Sequence, residues 1–242
     1  MRSPRLTCQA GALILSRMNE LSDAGGDATL VEQAVARLRK DIIAGVRAPG
    51  ERLRIERLRG LYGIGPSPLR EALQRLAADG MVIAASNRGF RVAPLDAAEF
   101  LDLNRARIAI ETAALRLSIA EGSEEWEAQV VAAAWSLEKL DILLAEGTLQ
   151  DFDRWEQMNG RFHDSLVDAC GSRWLLRHRK MLQAQCERYR RASVYQDRFG
   201  RNLLEEHRAI ARAVLDRDAD RACDLITGHF VRTADTLVQI LT

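Results

Sequence analysis

A chain of 242 residues that is 47% hydrophobic and 29% charged can bury a substantial core, and this composition excludes a disordered or fibrous protein. No apolar run approaches the ~18–20 residues that a membrane-spanning helix needs, so we expect no membrane partner. The net charge of +1 is unevenly distributed, because residues 30–95 contain 12 Lys/Arg and 6 Asp/Glu whereas residues 96–242 contain 20 and 25. A basic module before an acidic one is typical of a DNA-binding domain joined to a sensing domain.

The first 28 residues show little pattern, and we predict a disordered leader over 1–28. The apolar run 10–15 is too short for a signal peptide, and Met18 is an alternative start to Met1. The cysteines show no close pairing, which favours a reduced, cytoplasmic protein. They are Cys8, Cys170, Cys186 and Cys223.

A first helix is predicted from Leu30 to Ala44, capped by Thr29, and a short extended piece follows at 48–53. Two short amphipathic helices then flank the sequence Gly-Ile-Gly-Pro, which predicts a helix-turn-helix over 58–76. We expect Ser67 to cap the second helix, with Pro68 at its first position. From this stretch alone an ordinary helical hairpin with solvated arginines remains an equal alternative.

The residues after Gly80 favour the helix-turn-helix. Two short apolar strands, 81–85 and 90–93, are separated by the turn Ser-Asn-Arg-Gly, which predicts a wing. Arg88 brings charge to the wing tip, and Gly89 permits close backbone approach to a groove or phosphate. The predicted fold of residues 29–94 is therefore a winged helix-turn-helix.

The motifs PGERL, PLREALQRL and RGFRV, in this order, resemble the winged-helix domain of GntR-type bacterial transcription factors, over about 31–94. The resemblance implies a homodimer that binds double-stranded DNA at a pseudo-palindromic operator. Two positions depart from the family pattern: Gly65-Pro66 replaces Ser/Thr-Arg after the turn, and Glu56 replaces an arginine. The predicted DNA-binding residues are Arg54, Arg57, Ser67, Arg70, Arg75, Arg88 and Gly89.

Residues 95–242 are predicted to form an all-α antiparallel bundle. The family resemblance implies that this bundle binds an effector and dimerises. The protein as a whole is therefore expected to be mainly α. The predicted helices are 96–121, 124–146, 151–170, 173–195, 199–216 and 218–241. Each of the four tryptophans is interpreted as core packing.

Three histidines of this domain have helical contexts compatible with a metal site, although each taken singly is compatible with a hydrogen-bonded core or surface residue. The pattern of an amide four residues before Phe-His, then EHRAI, then a last histidine 22 residues later resembles the FCD effector domain of the FadR branch. The resemblance implies a divalent metal, zinc or nickel, bound by Asn159, His163, His207 and His229. Asn159 departs from the usual Asp, and His178 matches nothing.

The same resemblance implies that Arg107, four residues before Glu111, binds the carboxylate of a small organic acid, with Arg105 as a competitor. We therefore predict a DNA-binding regulator, a repressor rather than an enzyme, controlled by a carboxylate near a metal. Within that branch, the motifs GIGPSPLREAL and GSEEWEA resemble those of regulators of small dicarboxylate or amino-acid-derived acid catabolism. The alternatives are an all-α metal-dependent hydrolase and an interaction scaffold.

Overall fold

The structure, a computed structural model, describes residues 28–85, 89–194 and 202–241, and these are mostly helical. The predicted leader therefore lies outside the described residues except for Ala28. The elements in chain order are α1 (Leu30–Ile43), β1 (Arg52–Leu53), α2 (Ile55–Tyr62), α3 (Pro66–Ala78), β2 (Val82–Ala85), β3 (Gly89–Val92), α4 (Ala97–Glu121), α5 (Glu124–Ala145), α6 (Phe152–Val167), α7 (Arg173–Val194), α8 (Leu203–Leu215) and α9 (Ala219–Leu241).

The helix-turn-helix forms where the glycine turn was predicted, but its second helix begins earlier. Gly63 ends α2 in the left-handed conformation (φ 67°), which glycine adopts without steric cost. Helix α3 is preceded by Gly65 and begins at Pro66, so the prediction that Ser67 caps it is wrong by two residues. The proline at the first helical position needs no N–H partner, and Ser67 therefore lies inside the first turn.

The winged-helix core is built from the apolar edges that the helix period predicted. Helix α1 begins with a capping box, in which Thr29 and Glu32 satisfy each other's backbone amides. Its buried residues pack against Leu69 and Leu73 of α3, both of which have no exposed surface. The strands β2 and β3 pair antiparallel, as the wing requires. Strand β1 adds to β3 on its other edge, giving the order β1-β3-β2.

The six remaining helices follow the predicted order, with shifted ends. Helix α6 stops at Val167, three residues before the predicted end, and α8 begins at Leu203 rather than at 199. Four of the helices begin at a polar side chain that accepts a backbone N–H. These capping residues are Asp96, Ser123, Asp151 and Asn202.

The tryptophans divide into two pairs. Trp126 and Trp155 are buried in the helical core, as predicted. Trp135 and Trp174 are 60% and 56% exposed, so their assignment to the core is wrong. Each exposed ring is instead covered on one side, Trp135 by the ammonium of Lys139 at 3.2 Å and Trp174 by the His178 ring.

Helix α7 lies between the winged helix and the helical domain. Its Arg188 donates hydrogen bonds to the carbonyl oxygens of Ala93 (2.9 Å) and Pro94 (3.4 Å), so it holds the joint between the two regions. Gln185 donates from Nε2 to the carbonyl of Asp79, the residue that ends α3, at 2.5 Å. The connection between the regions is therefore supported by a helix from the second one.

Two further sequence expectations concern residues that the structure describes. None of the described helices is both long and apolar enough to cross a bilayer. Cys170, Cys186 and Cys223 are buried free thiols, while Cys8 lies outside the described residues.

Candidate metal centre and nucleic-acid interface

Three histidines from three helices meet in the core of the helical domain. His163 lies on α6, His207 on α8 and His229 on α9, and each is no more than 5% exposed. One ring nitrogen from each histidine lies within 4.8 Å of those of the other two. Packing of the helices therefore brings together three histidines that are 44 and 22 positions apart in the chain.

Asn159 lies beside this triad. It precedes His163 by one turn of α6, is 4% exposed and lines the same cavity. The cavity is open to solvent on one side, has a volume of about 30 Å³ available to the centres of water molecules, and is also lined by Trp155, Phe230 and Thr233. The four residues predicted to bind a metal thus share one partly enclosed space.

Two carboxylates contact the histidines from outside this space. Nδ1 of His207 lies 2.6 Å from Oδ2 of Asp141, which is 1% exposed on α5. Nδ1 of His229 lies 2.8 Å from Oε2 of Glu206 on α8. Sequence analysis assigned neither carboxylate to the histidines, and Asp141 has no motif around it that would have identified it.

The histidines have the chemistry that a divalent transition metal requires. Nδ1 of His163 and Nε2 of His207 are buried and have no hydrogen-bond partner among the described residues. Burial, together with nearby His229 and Arg107, holds the pKa of His163 well below its usual range, so its ring is neutral. Neutral imidazoles suit zinc and nickel better than magnesium or calcium.

Arg107 occupies the same cavity. Its side chain is 4% exposed, and its guanidinium carbon lies 3.9 Å from the centre of the Phe230 ring. Nε of Arg107 has no hydrogen-bond partner in the described structure, although burial lowers its pKa by disfavouring the charge. Arginine stays protonated in proteins, so the cavity is lined by a buried cation that has an unused donor. The competing Arg105 is exposed.

Glu111, which sequence comparison paired with Arg107, is held mainly by another residue. Its Oε2 lies 3.0 Å from Nε of Arg179 on α7, against 4.0 Å from Nε of Arg107. Arg179 also pairs with Asp164 at 2.6 Å. The carboxylate of Glu111 therefore leaves Arg107 available for an anion.

A second arginine, Arg190 of α7, also lines the cavity and was missed by sequence analysis. It is 8% exposed and makes two hydrogen bonds to Glu156, at 3.2 and 3.0 Å. Burial alone would lower its pKa, but Glu156 outweighs this effect and raises it. Nothing in the local sequence marks this arginine among the eight residues of its type between 173 and 201.

The predicted DNA-binding residues that the structure describes are exposed on the winged helix. Arg54 and Arg57 lie at the start of α2, where Arg57 is 3.9 Å from Glu51. Ser67, Arg70 and Arg75 lie on α3, opposite the buried edge of that helix. A helix with one buried edge and exposed arginines can enter a major groove.

The predicted DNA-binding residues differ in their ion pairs and in their backbone conformation. Arg75 is paired with Glu71 on the same helix at 2.6 Å, whereas no such pair is recorded for Arg70 within the described residues. Gly89 begins β3 with φ 82°, a conformation in which a side chain would be strained. Arg88, predicted at the wing tip, lies outside the described residues.

A winged helix-turn-helix with exposed arginines, followed by a helical domain, defines a DNA-binding transcriptional regulator. The family description "Bacterial regulatory proteins, gntR family" matches residues 30–92, and "FCD domain" matches residues 102–232. The chain therefore belongs to the GntR family of regulators, with the FadR-like combination of GntR and FCD domains.

Relatives and solved structures agree with this assignment. The chain is 41% identical to the HTH-type transcriptional regulator BphR of Paraburkholderia xenovorans, over 87% of this chain and 86% of that protein. It is 36% identical to the HTH-type transcriptional repressor GlaR of Escherichia coli, over 84% and 94%. The fold matches E. coli McbR/YncC with a TM-score of 0.75 at 18% identity, covering 89% of this chain and 100% of that one.

Proposed function

We propose that this regulator is a repressor whose operator binding is controlled by a small carboxylate bound beside a divalent metal. One observation carries the proposal: three buried histidines and a buried arginine with an unused donor line the same cavity. A family relative named as a repressor supports the sign of regulation. Residues 95–242 would bind the effector and dimerise, and residues 29–94 would bind DNA in the bacterial cytoplasm.

His163, His207 and His229 would hold the metal through ring nitrogens, with the amide oxygen of Asn159 as a fourth ligand. Zinc or nickel fits this nitrogen-rich set. When bound, the metal supplies a localised positive charge that attracts a carboxylate oxygen. Because Asn159 is neutral, an anionic effector would be the first negative charge placed directly at the metal.

Arg107 would bind the other end or the second oxygen of that carboxylate. Its guanidinium can donate two parallel hydrogen bonds to a carboxylate, which lysine cannot do. Its position over the Phe230 ring restricts the side chain before any ligand arrives. The effector class is therefore a small organic acid, such as a dicarboxylate or an acid derived from an amino acid.

Helix α7 supplies a route from the cavity to DNA. Cys186 and Arg190 line the cavity, while Gln185 and Arg188 bond to the end of the recognition helix α3 and to the joint at 93–94. An effector that binds better to one position of α7 would shift the winged helices of a dimer on a pseudo-palindromic operator. An effector without such a preference would have no effect on DNA binding.

A metal-dependent hydrolase has no comparable support. The described residues that line the cavity include no carboxylate, so a water activated there would have no acid–base partner apart from the ligands. A hydrolase would also leave the winged helix without a role.

The test is a thermal-shift screen of small carboxylates on zinc-loaded protein, followed by DNA binding with each hit. A ligand that binds the folded state raises its apparent stability. We expect at least one acid to stabilise the wild-type protein and to release DNA selected from a random library. Arg107→Ala should lose the stabilisation, and Arg105→Ala should retain it. Equal stabilisation of both variants would contradict the assignment of Arg107.

A further inference from the structure

We propose that Asp141 and Glu206 are positioning residues of the metal centre, each fixing one histidine ring by its Nδ1 so that Nε2 faces the ion. The inference depends on the proposed metal site and adds two residues to it that are not ligands. It rests on the placement of four side chains around the cavity rather than on their protonation.

The Asp141 carboxylate is fully engaged and rigidly held. Its Oδ2 lies 2.6 Å from Nδ1 of His207, and its Oδ1 accepts a hydrogen bond from Nε1 of Trp155 at 2.8 Å. Both Asp141 and Trp155 are buried. Because the indole N–H is a donor only, it fixes the orientation of the carboxylate, which then orients the imidazole.

The second ring nitrogen of His207, Nε2, is the atom that would face the ion. A carboxylate accepts a hydrogen bond from Nδ1–H, so in a ring with one N–H the hydrogen lies on Nδ1 and the lone pair lies on Nε2. That Nε2 is buried and has no hydrogen-bond partner among the described residues. A buried acceptor without a partner is costly unless a ligand completes it. The geometry therefore leaves one lone pair prepared for a metal.

Glu206 makes an equivalent contact from a neighbouring position on α8. Its Oε2 lies 2.8 Å from Nδ1 of His229, and its Oε1 accepts from Nε of Arg232 at 3.0 Å. Glu206 and His207 are adjacent in sequence, so one segment of α8 supplies both a ligand and the orienting group of another ligand. Arg232 shares the charge of Glu206, which predicts a smaller effect for Glu206 than for Asp141.

These two carboxylates also account for the neutral Asn159. A dication held by three imidazoles and an amide has no anionic ligand, and a carboxylate hydrogen-bonded to a coordinated histidine makes that ligand more basic. Asp141 and Glu206 place two negative charges behind the histidines, each separated from the proposed ion by one imidazole ring. Negative charge behind the histidines thus partly offsets the absence of an anionic ligand.

The experiment measures zinc affinity by competition with a chromophoric chelator, at one neutral pH, for Asp141→Asn and Glu206→Gln. Loss of such orienting groups commonly weakens metal affinity by about 10–100-fold, and we expect Asp141→Asn near the upper end and Glu206→Gln near the lower. The matched controls are Glu138→Gln and Glu205→Gln. In the wild-type protein Glu138 pairs with Arg208 at 2.6 Å, and Glu205 directly precedes Glu206. Each control removes the same charge from the same helix.

A second measurement separates positioning from a general effect on folding. Nitrogen-15 spectra of the metal-free wild-type protein should show His207 protonated on Nδ1, and Asp141→Asn should move that proton toward Nε2, because an amide N–H₂ can donate to Nδ1. A wild-type ring protonated on Nε2 would overturn the proposal even if a variant failed to fold. Variants that bind zinc as the controls do would overturn it while leaving the metal site intact. A wild-type protein that binds no zinc would overturn both.

Discussion

For the metal site proposed above, replacing His163 by alanine should remove the stabilisation that added metal provides while leaving the fold in place. The imidazole is 2% exposed, and its Nδ1 has no hydrogen-bond partner in the described structure. Truncating a buried side chain creates a cavity, but here it also removes an unsatisfied polar atom. We therefore expect the metal-free variant to lose only ~1–2 kcal/mol of unfolding free energy.

The loss in the presence of metal should be larger. A ligand at a hundred times its dissociation constant stabilises the folded state by about 2.7 kcal/mol. For a chain of this size that corresponds to a rise in Tm of about 5–11 °C. Wild-type protein should show this rise with Zn²⁺ or Ni²⁺, and His163→Ala should show little of it. Differential scanning fluorimetry over a metal titration measures both quantities.

His178→Ala is the matched control, because His178 is an exposed histidine stacked on Trp174, away from the cavity. Its Tm should rise with metal as the wild-type Tm does. An equal rise for His163→Ala would refute the assignment of His163 as a ligand. The absence of any rise in the wild-type protein would refute the metal site itself.

Three further predictions concern other parts of the chain. Arg70→Ala should weaken binding to selected DNA by roughly 5–150-fold if Arg70 contacts a base, whereas Arg105→Ala should change it by no more than about twofold. Fluorescence anisotropy at several salt concentrations measures both. Glu111→Gln removes the negative charge that lies 3.0 Å from the buried Arg179 and should lower the unfolding free energy by about 3 kcal/mol in urea titrations. Leu73→Ala, fully buried in the winged-helix core, should cost about 2–5 kcal/mol in the same assay.

Each of these has a contrary result. Equal DNA affinity of Arg70→Ala and the parent protein would remove Arg70 from the interface. A cost below about 1 kcal/mol for Glu111→Gln would mean that water or Asp164 compensates the arginines. A similarly small cost for Leu73→Ala would show that the helix-turn-helix core repacks around the lost volume.

Sequence alone predicted the order of the helices and the wing because those depend on local periodicity and turn residues. Thr29, Asp96 and Gly80 mark element ends through their own side chain or backbone freedom, so they could be identified without a fold. Strand β1 was predicted only as an extended segment, because its pairing with β3 depends on residues 37 and 39 positions away. Ser67 was misplaced because two prolines compete for the same position.

The candidate site was predicted in part, and only through a family resemblance. The three histidines lie in motifs that resemble a known family, but Asp141, Arg190 and Arg179 do not. Each of these lies on a helix whose apolar periodicity is complete without it. Its contacts form only when that helix packs against another. Trp135 shows the reverse error, because its aromatic character suggested burial on a helix whose buried edge lies elsewhere.

The segment 184–190 of helix α7 contacts two different regions within less than two helical turns. Successive residues of a helix differ by about 100° in direction, so inserting one residue between Cys186 and Arg188 would turn Arg188 and Arg190 by that angle relative to Gln185 and Cys186. Every side chain would still be present, yet the bonds of Gln185 to Asp79 and of Arg188 to Ala93 could no longer form together. The length of this segment is therefore as restricted as the identity of its side chains.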